Sequence, residues 1–353
     1  MSQINIMYGK NGRGKSTVAQ SLMLLSQTMS TNNGINELHL MGKLVELGVY
    51  DDVISHYEDG SKTFSFKLDT ESENVEMGFS PCAEKPQMAQ INKLIVNGTN
   101  RFDVITDDAN DSASVSVHAV GTTSDIMVLQ SLKQLQYVSA ARLGPRNFSS
   151  RIDSLDSSWY GVKGEYVINV LANKGEDFRN KVCAVLSNVL SGATLRTSSK
   201  DDERIELFLD SVNNGKSFRP VNVGFGYSFV LTVIVAALLA PKNSILIIEN
   251  PEAHLHPGAQ SRLTKFLIEI SKQNNIQLLV ETHSDHVVNG LRIAMKQGLC
   301  DLTPEDAQIV FFYHSDTETM PAVDIIKCDK FGELSAYPED FLDEWTKQLL
   351  DLV

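Results

Sequence analysis

Cysteine is scarce in this chain of 353 residues, and Cys82, Cys183, Cys300 and Cys328 stand far apart in the sequence. No Cys-x-x-Cys pair occurs, so neither a zinc site nor a disulfide framework is indicated, and reduced cytoplasmic thiols are favoured. Basic residues are also few, with 31 Lys and Arg against 44 Asp and Glu and a formal net charge of −13. This balance disfavours non-specific nucleic-acid binding, although it leaves room for a local basic groove.

A long hydrophobic run is also missing. The longest one, residues 229–240, spans about a dozen residues, whereas a membrane-spanning helix needs about 20. The N-terminus lacks the basic and then apolar segments of a signal peptide. Because 42% of the residues are hydrophobic, the chain can bury a large core. We therefore expect a globular cytoplasmic protein with no membrane segment.

The hydrophobic pattern indicates an α/β fold with an inserted β region. Residues 4–8 predict a strand, residues 17–25 a helix, and the short alternating runs between 48 and 125 an antiparallel β region. Residues 150–220 are mixed, with helical spacing at 165–172 and 177–190 and a possible strand at 205–212. After residue 220 the pattern predicts a helix at 228–240, strands at 244–248, 276–280 and 309–313, and helices from about 260 and up to about 296.

A glycine-rich loop follows the first predicted strand. Residues 9–16 read GKNGRGKS, which fits the P-loop pattern GxxxxGK[ST] between a strand and a helix. Glycines let backbone N–H groups converge on phosphate oxygens, and the start of the helix adds partial positive charge. We expect Lys15 to reach the β- and γ-phosphates and Ser16 to bind Mg²⁺. The predicted nucleotide-binding residues here are Gly9, Asn11, Gly12, Arg13, Gly14, Lys15, Ser16 and Thr17.

Acidic residues and a histidine follow two later buried strands. Residues 244–252 read SILIIENPE, which places Glu249 at the carboxyl end of a strand in the Walker B arrangement. Such a carboxylate lies beside the P-loop and holds Mg²⁺ directly or through water. His283 ends the next apolar strand in the same way, so we expect it at the same edge of the sheet, within reach of the γ-phosphate.

Two other short segments leave alternatives open. Residues 223–228, VGFGYS, precede the apolar helix, and their glycines and Ser228 form either a second anion site for a nucleotide shared with another subunit or a plain helix cap. His254 and His256 could be metal ligands, but no further ligand has usable spacing, so a D-loop-like segment that crosses to a partner is favoured. Arg142 and Arg146 are candidates for phosphate or nucleic-acid contacts, or for surface ion pairs.

Together these motifs resemble those of ABC-type ATPases of the SMC and OLD kind. The P-loop continues through Thr17, the residues from Gly224 to Ser228 stand where the signature motif belongs, and His283 matches the switch histidine. The resemblance implies two heads that clasp two ATP molecules. Each ATP would lie between one head's P-loop and the other's Gly224, Gly226 and Ser228.

A closer resemblance covers nearly the whole chain. It is similar to bacterial AAA-type, ABC-like ATPases that carry a small C-terminal domain of unknown function. The residues that carry it are YVSAARLGP at 137–145, IENPEAHLHP at 248–257, ETHS at 281–284, and GEL at 332–334 with YPEDF at 337–341, where Tyr337 replaces the usual Trp. Such ATPases often act in anti-phage defence, including Septu-like systems with an HNH nuclease, which implies an effector partner of that kind.

Two departures from this family pattern matter. Many relatives begin with about 20 further residues, so we expect a first lobe that is incomplete or built differently. ABC ATPases also place Glu directly after the Walker B acid, to polarise the attacking water, where this chain has Asn250. An amide orients water but does not accept its proton. Glu252 is the candidate substitute, and slow turnover is expected.

The predicted fold is an α/β P-loop NTPase, similar to an ABC-ATPase head, with an antiparallel β lobe and a mixed helical insertion. The predicted parts are 1–50 and 221–315 for the ATPase core, 51–147 for the β lobe, 148–220 for the insertion, and 316–353 for a small C-terminal domain. The leading hypothesis is an ATP- and Mg²⁺-dependent homodimer, or a higher dimer-based oligomer, with Glu249, Asn250, Glu252 and His283 in catalysis. The alternatives are an ATP-gated scaffold that hydrolyses slowly or never, and a DNA-repair ATPase of the SMC or OLD type.

Overall fold

The computed structural model describes residues 1–31, 35–54, 62–106, 115–119, 126–199, 203–314 and 321–352. Parts of the predicted β lobe, insertion and C-terminal domain lie outside these ranges. The described chain divides into two compact units. The first unit comprises residues 1–15 and 136–353, and the second comprises residues 16–135.

The helices alternate with strands in the manner of an α/β protein. The helices are α1 Lys15–Thr31, α2 Tyr50–Val53, α3 Met127–Leu132, α4 Val167–Asn173, α5 Gly175–Val189, α6 Phe225–Leu239, α7 Pro257–Asn274, α8 Asp285–Lys296 and α9 Glu344–Asp351. The strands are β1 Ile4–Gly9, β2 Glu37–His39, β3 Phe64–Asp69, β4 Asn74–Pro81, β5 Met88–Val96, β6 Thr99–Asn100, β7 Phe102–Thr106, β8 Val115–Ala119, β9 Gln136–Val138, β10 Phe148–Ser150, β11 Thr194–Ser198, β12 Arg204–Asp210, β13 Ile245–Glu249, β14 Gln277–Thr282, β15 Ala307–His314 and β16 Pro321–Ile326.

A six-stranded sheet organises the first unit, in the order β16-β15-β1-β14-β13-β9. Strand β1 lies parallel to both of its neighbours, and every residue of it is buried. Continuous apolar strands of this kind are typical of parallel sheets that are covered on both faces. In register, Met7 is opposite Glu281, which is opposite Glu249. The carboxyl ends of β1, β14 and β13 therefore meet at one edge of the sheet, the position where α/β proteins bind ligands.

Helix α6 is part of the core of the first unit. Its residues are apolar on every side, and those from Val230 to Ala237 are buried, as expected for a helix enclosed by protein. The helix has 15 residues. Within the described ranges, no helix combines the length and the apolar character that a bilayer crossing requires.

A small antiparallel sheet, in the order β10-β12-β11, lies in the predicted insertion, together with α4 and α5. The predicted strand at 205–212 and helices at 165–172 and 177–190 correspond to β12, α4 and α5. In the second unit, β2, β5, β4 and β3 form an antiparallel sheet with β6 added on β5. Strand β3 alternates half-buried and exposed residues, which is the period of a strand with one solvated face. This sheet begins with β2, before the predicted start of the β lobe at residue 51. Strand β9 falls within the predicted lobe, but it pairs with β13 in the parallel sheet.

The C-terminal segment, residues 327–352, packs against the strand that precedes the glycine-rich loop. Phe341 is buried, with its ring 5.3 Å from that of Tyr8 and 5.2 Å from that of Phe311. Nearby, Lys10 Nζ lies 2.6 Å from Asp340 Oδ2. The pair is largely exposed and contributes little to stability, so the aromatic contacts of Phe341 contribute more to this attachment than the ion pair does.

We expect Phe341→Ala to lower the free energy of unfolding of the first unit by about 3–5 kcal/mol, since it removes a buried aromatic ring and leaves a cavity. Denaturant titration followed by circular dichroism measures this change. Phe218→Ala is the matched control, because Phe218 is exposed and surface substitutions stay within about 0.5 kcal/mol. Equal effects of the two substitutions would contradict the packing described above.

Candidate nucleotide site

The glycine-rich loop connects β1 to α1, as the sequence predicts. Gly9 has φ +139°, and a Cβ built on it would lie 2.2 Å from the backbone oxygen of Phe312 on β15. Glycine is therefore required there by the close approach of the neighbouring strand. Gly12 and Gly14 have φ of +71° and +90°, with open space around a built Cβ. At these two positions the left-handed backbone selects glycine, and the open space leaves the loop accessible to a ligand.

Lys15 is the first residue of α1 and is buried, at 3% exposure. Its Nζ donates hydrogen bonds to the carbonyl oxygens of Gly9, at 2.8 Å, and Lys10, at 2.7 Å. Burial lowers the pKa of Lys15, and the nearby carboxylate of Glu281 opposes that shift. The loop thus holds an ammonium group beside its own backbone, with a buried carboxylate near it.

Glu249 ends β13 and is fixed by the segment after β9. Its Oε2 accepts a hydrogen bond from the backbone N–H of Ala140 at 2.9 Å. The buried Arg142 donates to the backbone oxygens of Glu249, at 2.7 Å, and Asn250, at 2.5 Å. Desolvation lowers the pKa of Arg142 to about 10, against the opposing effect of Glu252 and Glu249. Arg142 therefore stabilises the end of β13 rather than forming a surface ion pair.

Asn250, Glu252 and His283 form a connected chain. Asn250 has φ +43°, and its backbone N–H donates to the backbone oxygen of Glu281 at 2.8 Å. Its side-chain amide donates to Glu252 Oε1 at 3.4 Å, and the same oxygen accepts from the backbone N–H of His283 at 3.1 Å. Glu252 Oε2 is buried and has no hydrogen-bond partner within the described residues. That oxygen therefore retains unused hydrogen-bonding capacity.

The imidazole of His283 lies beside the glycine-rich loop. Burial and the charge of Lys15 lower its pKa, while Glu252 and a hydrogen bond to the backbone of Gly9 act in the opposite direction. The side chain is therefore neutral at pH 7, a state in which one ring nitrogen donates and the other accepts.

We expect His283 to titrate below its ordinary pKa of about 6.5 in the free protein, as measured by NMR of the histidine ring protons with His283→Gln for assignment. Because the folded-state pKa is the lower one, the unfolded chain binds the proton more tightly. The stability that this difference provides is present above pH 6.5 and is lost as the pH falls through the folded-state pKa. A midpoint above about 6.5 would contradict the environment described.

The loop from Gly224 to Ser228 starts α6, with Gly224 as its N-cap residue. A Cβ on Gly226 would lie 2.5 Å from the backbone oxygen of His254. This glycine therefore permits close contact with residues 254–256, the segment predicted to be D-loop-like. Residues 224–227 of the loop and residues 254–256 line one cavity of about 440 Å³, together with Arg262 of α7. The structure therefore brings Gly224 and Gly226 together with residues 254–256, and it places Ser228 in the first turns of α6.

His254 and His256 have structural roles. The ring of His254 packs edge-on against Phe229, at 4.6 Å between centroids. His256 caps α7, since its Nδ1 accepts from the N–H of Gly258 at 3.2 Å. Across the described ranges, no cluster of three or more His, Cys, Asp or Glu side chains fits a metal ion. The interpretation of residues 254–256 as a D-loop-like segment remains a prediction.

Arg146 donates to the backbone oxygens of Gly164 and Glu165.

Sequence reasoning missed Glu281 as a site residue. It is 6% exposed, lies between Met7 and Glu249 in register, and acts on the charge of Lys15. The available signal was an acidic residue near the end of the strand between β1 and β13. The ion pair of Lys10 with Asp340 was also missed, because 330 residues separate the two in sequence.

Two family models match parts of the chain. Residues 146–288 match a family model described as an AAA ATPase domain, and residues 302–352 match one described as a protein of unknown function, DUF3696. No curated protein sequence matches the chain.

Two solved structures are similar to the chain over nearly its whole length. One is an Smc head bound to the C-terminal winged-helix domain of ScpA, with 13% identity, TM-score 0.50, and 93% of this chain and 91% of that one covered. The other is the Pyrococcus furiosus Smc head with an extended coiled coil, bound to the C-terminal domain of ScpA. It has 12% identity, TM-score 0.52, and 100% and 94% coverage.

The fold is thus an α/β P-loop fold of the ABC-type ATPase head class, as predicted. The chain has an SMC-head-like fold, and its residues 146–288 are similar to an AAA ATPase domain. Its residues 302–352 are similar to DUF3696, and the similarity of residues 146–288 to an ATPase domain indicates nucleotide binding.

Proposed function

We propose that this chain is a Mg²⁺-dependent ABC-type ATPase that clasps ATP between two copies and controls a separate effector protein. One observation carries the proposal. The carboxyl ends of β1, β13 and β14 bring Lys15, Glu249, Glu252 and His283 to one edge of a parallel sheet. In this assignment, Lys15 and the loop amides bind phosphate, and His283 contacts the γ-phosphate.

The chemistry of the proposed donor set suits a magnesium ion. Carboxylate and hydroxyl oxygens are ligands that Mg²⁺ accepts, and Glu249 supplies a carboxylate at the end of β13. Ser16, directly after Lys15, is the ligand that the P-loop motif assigns. The unpartnered buried oxygen of Glu252 is suited to a water at the same edge. When bound, the ion would neutralise charge on the phosphates.

Glu252 is the proposed acceptor of the proton of the attacking water. Asn250 occupies the position after the Walker B acid, and its amide donates toward Glu252 Oε1. This contact orients the carboxylate and leaves Glu252 Oε2 for the water. Asn250 is thus a positioning residue in this proposal, and Glu252 carries the basic function.

The second copy would supply the loop with Gly224, Gly226 and Ser228. The cavity that this loop shares with the D-loop-like segment supports a joint role of the two at a partner's nucleotide. An anti-phage role with an HNH nuclease effector rests on the family resemblance. The similar Smc heads are themselves bound to ScpA, so an effector on a head of this fold has a structural parallel.

The second candidate is an ATP-gated scaffold that hydrolyses slowly or never. Asn250 is the observation that favours it, because an amide does not accept a proton. In that case ATP would still join two copies, but phosphate release would equal that of a variant that lacks Lys15.

We expect Ser228→Arg to abolish ATP-dependent dimer formation while binding of a fluorescent ATP analogue to the P-loop persists. The large cation would displace the loop that faces the partner's γ-phosphate. Light scattering after size exclusion, with ATP, Mg²⁺ and EDTA arms, measures the mass. The matched control is Ser154→Arg, at an exposed turn. A nucleotide-dependent dimer that is unchanged in Ser228→Arg would remove the shared-site model.

A further inference from the structure

Helix α9 has one side tied to its own chain and the other side exposed. Lys347 Nζ lies 2.8 Å from Asp340 Oδ1 and 3.0 Å from Asp343 Oδ2. The face of α9 opposite Lys347 carries three apolar residues with the spacing i, i+4, i+7. They are Trp345, Leu349 and the adjoining Leu352. These three side chains are 68%, 46% and 82% exposed. The face is therefore an apolar stripe without a partner among the described residues.

The surroundings of this stripe are acidic. Glu344 and Asp351 are seven residues apart and lie on a line next to it. Between residues 339 and 352, five acidic residues stand against one basic residue, Lys347. An apolar stripe bordered by carboxylates suits a groove that is apolar at its floor and positively charged at its rim.

A groove of that chemistry lies between α7 and α8. It has a volume of about 490 Å³ and is closed by residues 331–333. The charged residues that line it are Arg292 and Lys296 of α8 and the carboxylate Glu333, and Lys330 lies over the exposed ring of Phe331 at 5.1 Å. Cations therefore outnumber carboxylates here, in a chain with a net charge of −13.

The groove is prearranged and partly apolar. Arg292 Nε donates to the backbone oxygen of Gly332 at 2.8 Å, which fixes the wall of the groove against α8. Pro257, Ile293 and Phe331 supply apolar surface along it, and Ile293 and Phe331 are exposed. No residue of α9 of the same copy lines it.

We propose that this groove binds the C-terminal helix of a second copy of the chain. The helix would insert Trp345 and Leu349 between α7 and α8, with Glu344 and Asp351 beside the cations of α8. Since each copy carries both the helix and the groove, the exchange is reciprocal about a two-fold axis. This contact goes beyond the proposed function, because it requires neither ATP nor the P-loop.

The interface is small, since a helix of eight residues is about 12 Å long. Two such contacts per dimer place it at the low end of specific interfaces. Self-association is therefore expected between about 1 and about 100 µM protein, the range of weak reciprocal contacts. Sedimentation velocity of the full chain without nucleotide measures it. Lys15→Ala should self-associate equally, so loss of the proposed ATPase activity leaves this result unchanged.

Two charge-reversed chains give the decisive experiment. One carries a basic helix, Glu344→Lys with Asp351→Lys, and the other carries an acidic groove, Lys296→Glu with Lys330→Glu. Each alone should sediment as a monomer. Their equimolar mixture should restore the dimer, because both reciprocal contacts are then complementary. This rescue also shows that both variants are folded.

Lys181→Glu, an exposed charge reversal on α5, is the control and should associate like the unmodified chain. A chain that is monomeric over the whole concentration range overturns the proposal. Variants that dimerise as well as the unmodified chain also overturn it, as does a mixture that remains monomeric. If the chain is monomeric throughout, the apolar stripe of α9 would instead bind a different protein.

Discussion

Lys15→Ala is expected to reduce phosphate release from ATP to the background rate and to weaken ATP binding by roughly 100-fold or more, as for removal of one preorganised charge from a phosphate site. Lys15 is buried at the start of α1 and its ammonium group is held by Gly9 and Lys10. Burial lowers its pKa, and the charge of Glu281 acts in the opposite direction, which favours the charged form. Isothermal titration and a colorimetric phosphate assay measure the two quantities.

The matched control for this experiment is Lys242→Ala. Lys242 is exposed in the turn before β13, at the opposite edge of the sheet from the proposed site. Lys242→Ala changes the net charge by the same amount as Lys15→Ala, so it controls for any general electrostatic effect. Retained turnover in Lys15→Ala would mean that the loop does not hold the triphosphate. Equal losses in both variants would indicate a loss of folding rather than of a phosphate contact.

The strand ends at the site were predictable from sequence because each is a short apolar run followed by a polar residue. The patterns before Gly9, Glu249 and His283 correspond to β1, β13 and β14 within one or two residues. Local periodicity determines such buried strands, and their common direction follows from the helices between them.

Side-chain contacts between distant segments were not predictable in the same way. The burial of Phe341 against Tyr8 depends on how the C-terminal segment crosses β15, which no local pattern encodes. Arg142 illustrates the same limit. Its guanidinium is directed to two backbone oxygens at the end of β13, whereas the sequence offered only a basic residue in a family motif.

Within the site, Glu281 was not predictable from the sequence pattern. The strand predicted at 276–280 extends to Thr282 in the structure, so Glu281 is part of the sheet and not of the following loop. Its register opposite Glu249 and Met7 brings a third carboxylate to the edge that holds Lys15. Only the strand order, with β14 between β1 and β13, reveals this position.

Glu252→Gln is expected to lower the turnover number for ATP by roughly 100-fold, the usual contribution of a general base, with little change in ATP binding. The amide keeps an oxygen that accepts from the N–H of His283, so the local chain of hydrogen bonds is preserved. What is lost is the carboxylate whose Oε2 is buried without a partner in the described structure. Single-turnover kinetics separates this chemical effect from binding, and Glu269→Gln on α7 is the matched control.

The comparison with Asn250→Ala then decides between the two proposed functions. If Glu252 accepts the proton, Asn250→Ala loses only the 3.4 Å contact that orients the carboxylate, and turnover falls less than in Glu252→Gln. If Glu252→Gln retains full turnover while Asn250→Ala loses it, the water is positioned by Asn250 and the base assignment is wrong. If the unmodified chain and Glu252→Gln both release phosphate no faster than Lys15→Ala, ATP acts as a binding switch, and the scaffold hypothesis replaces the enzyme.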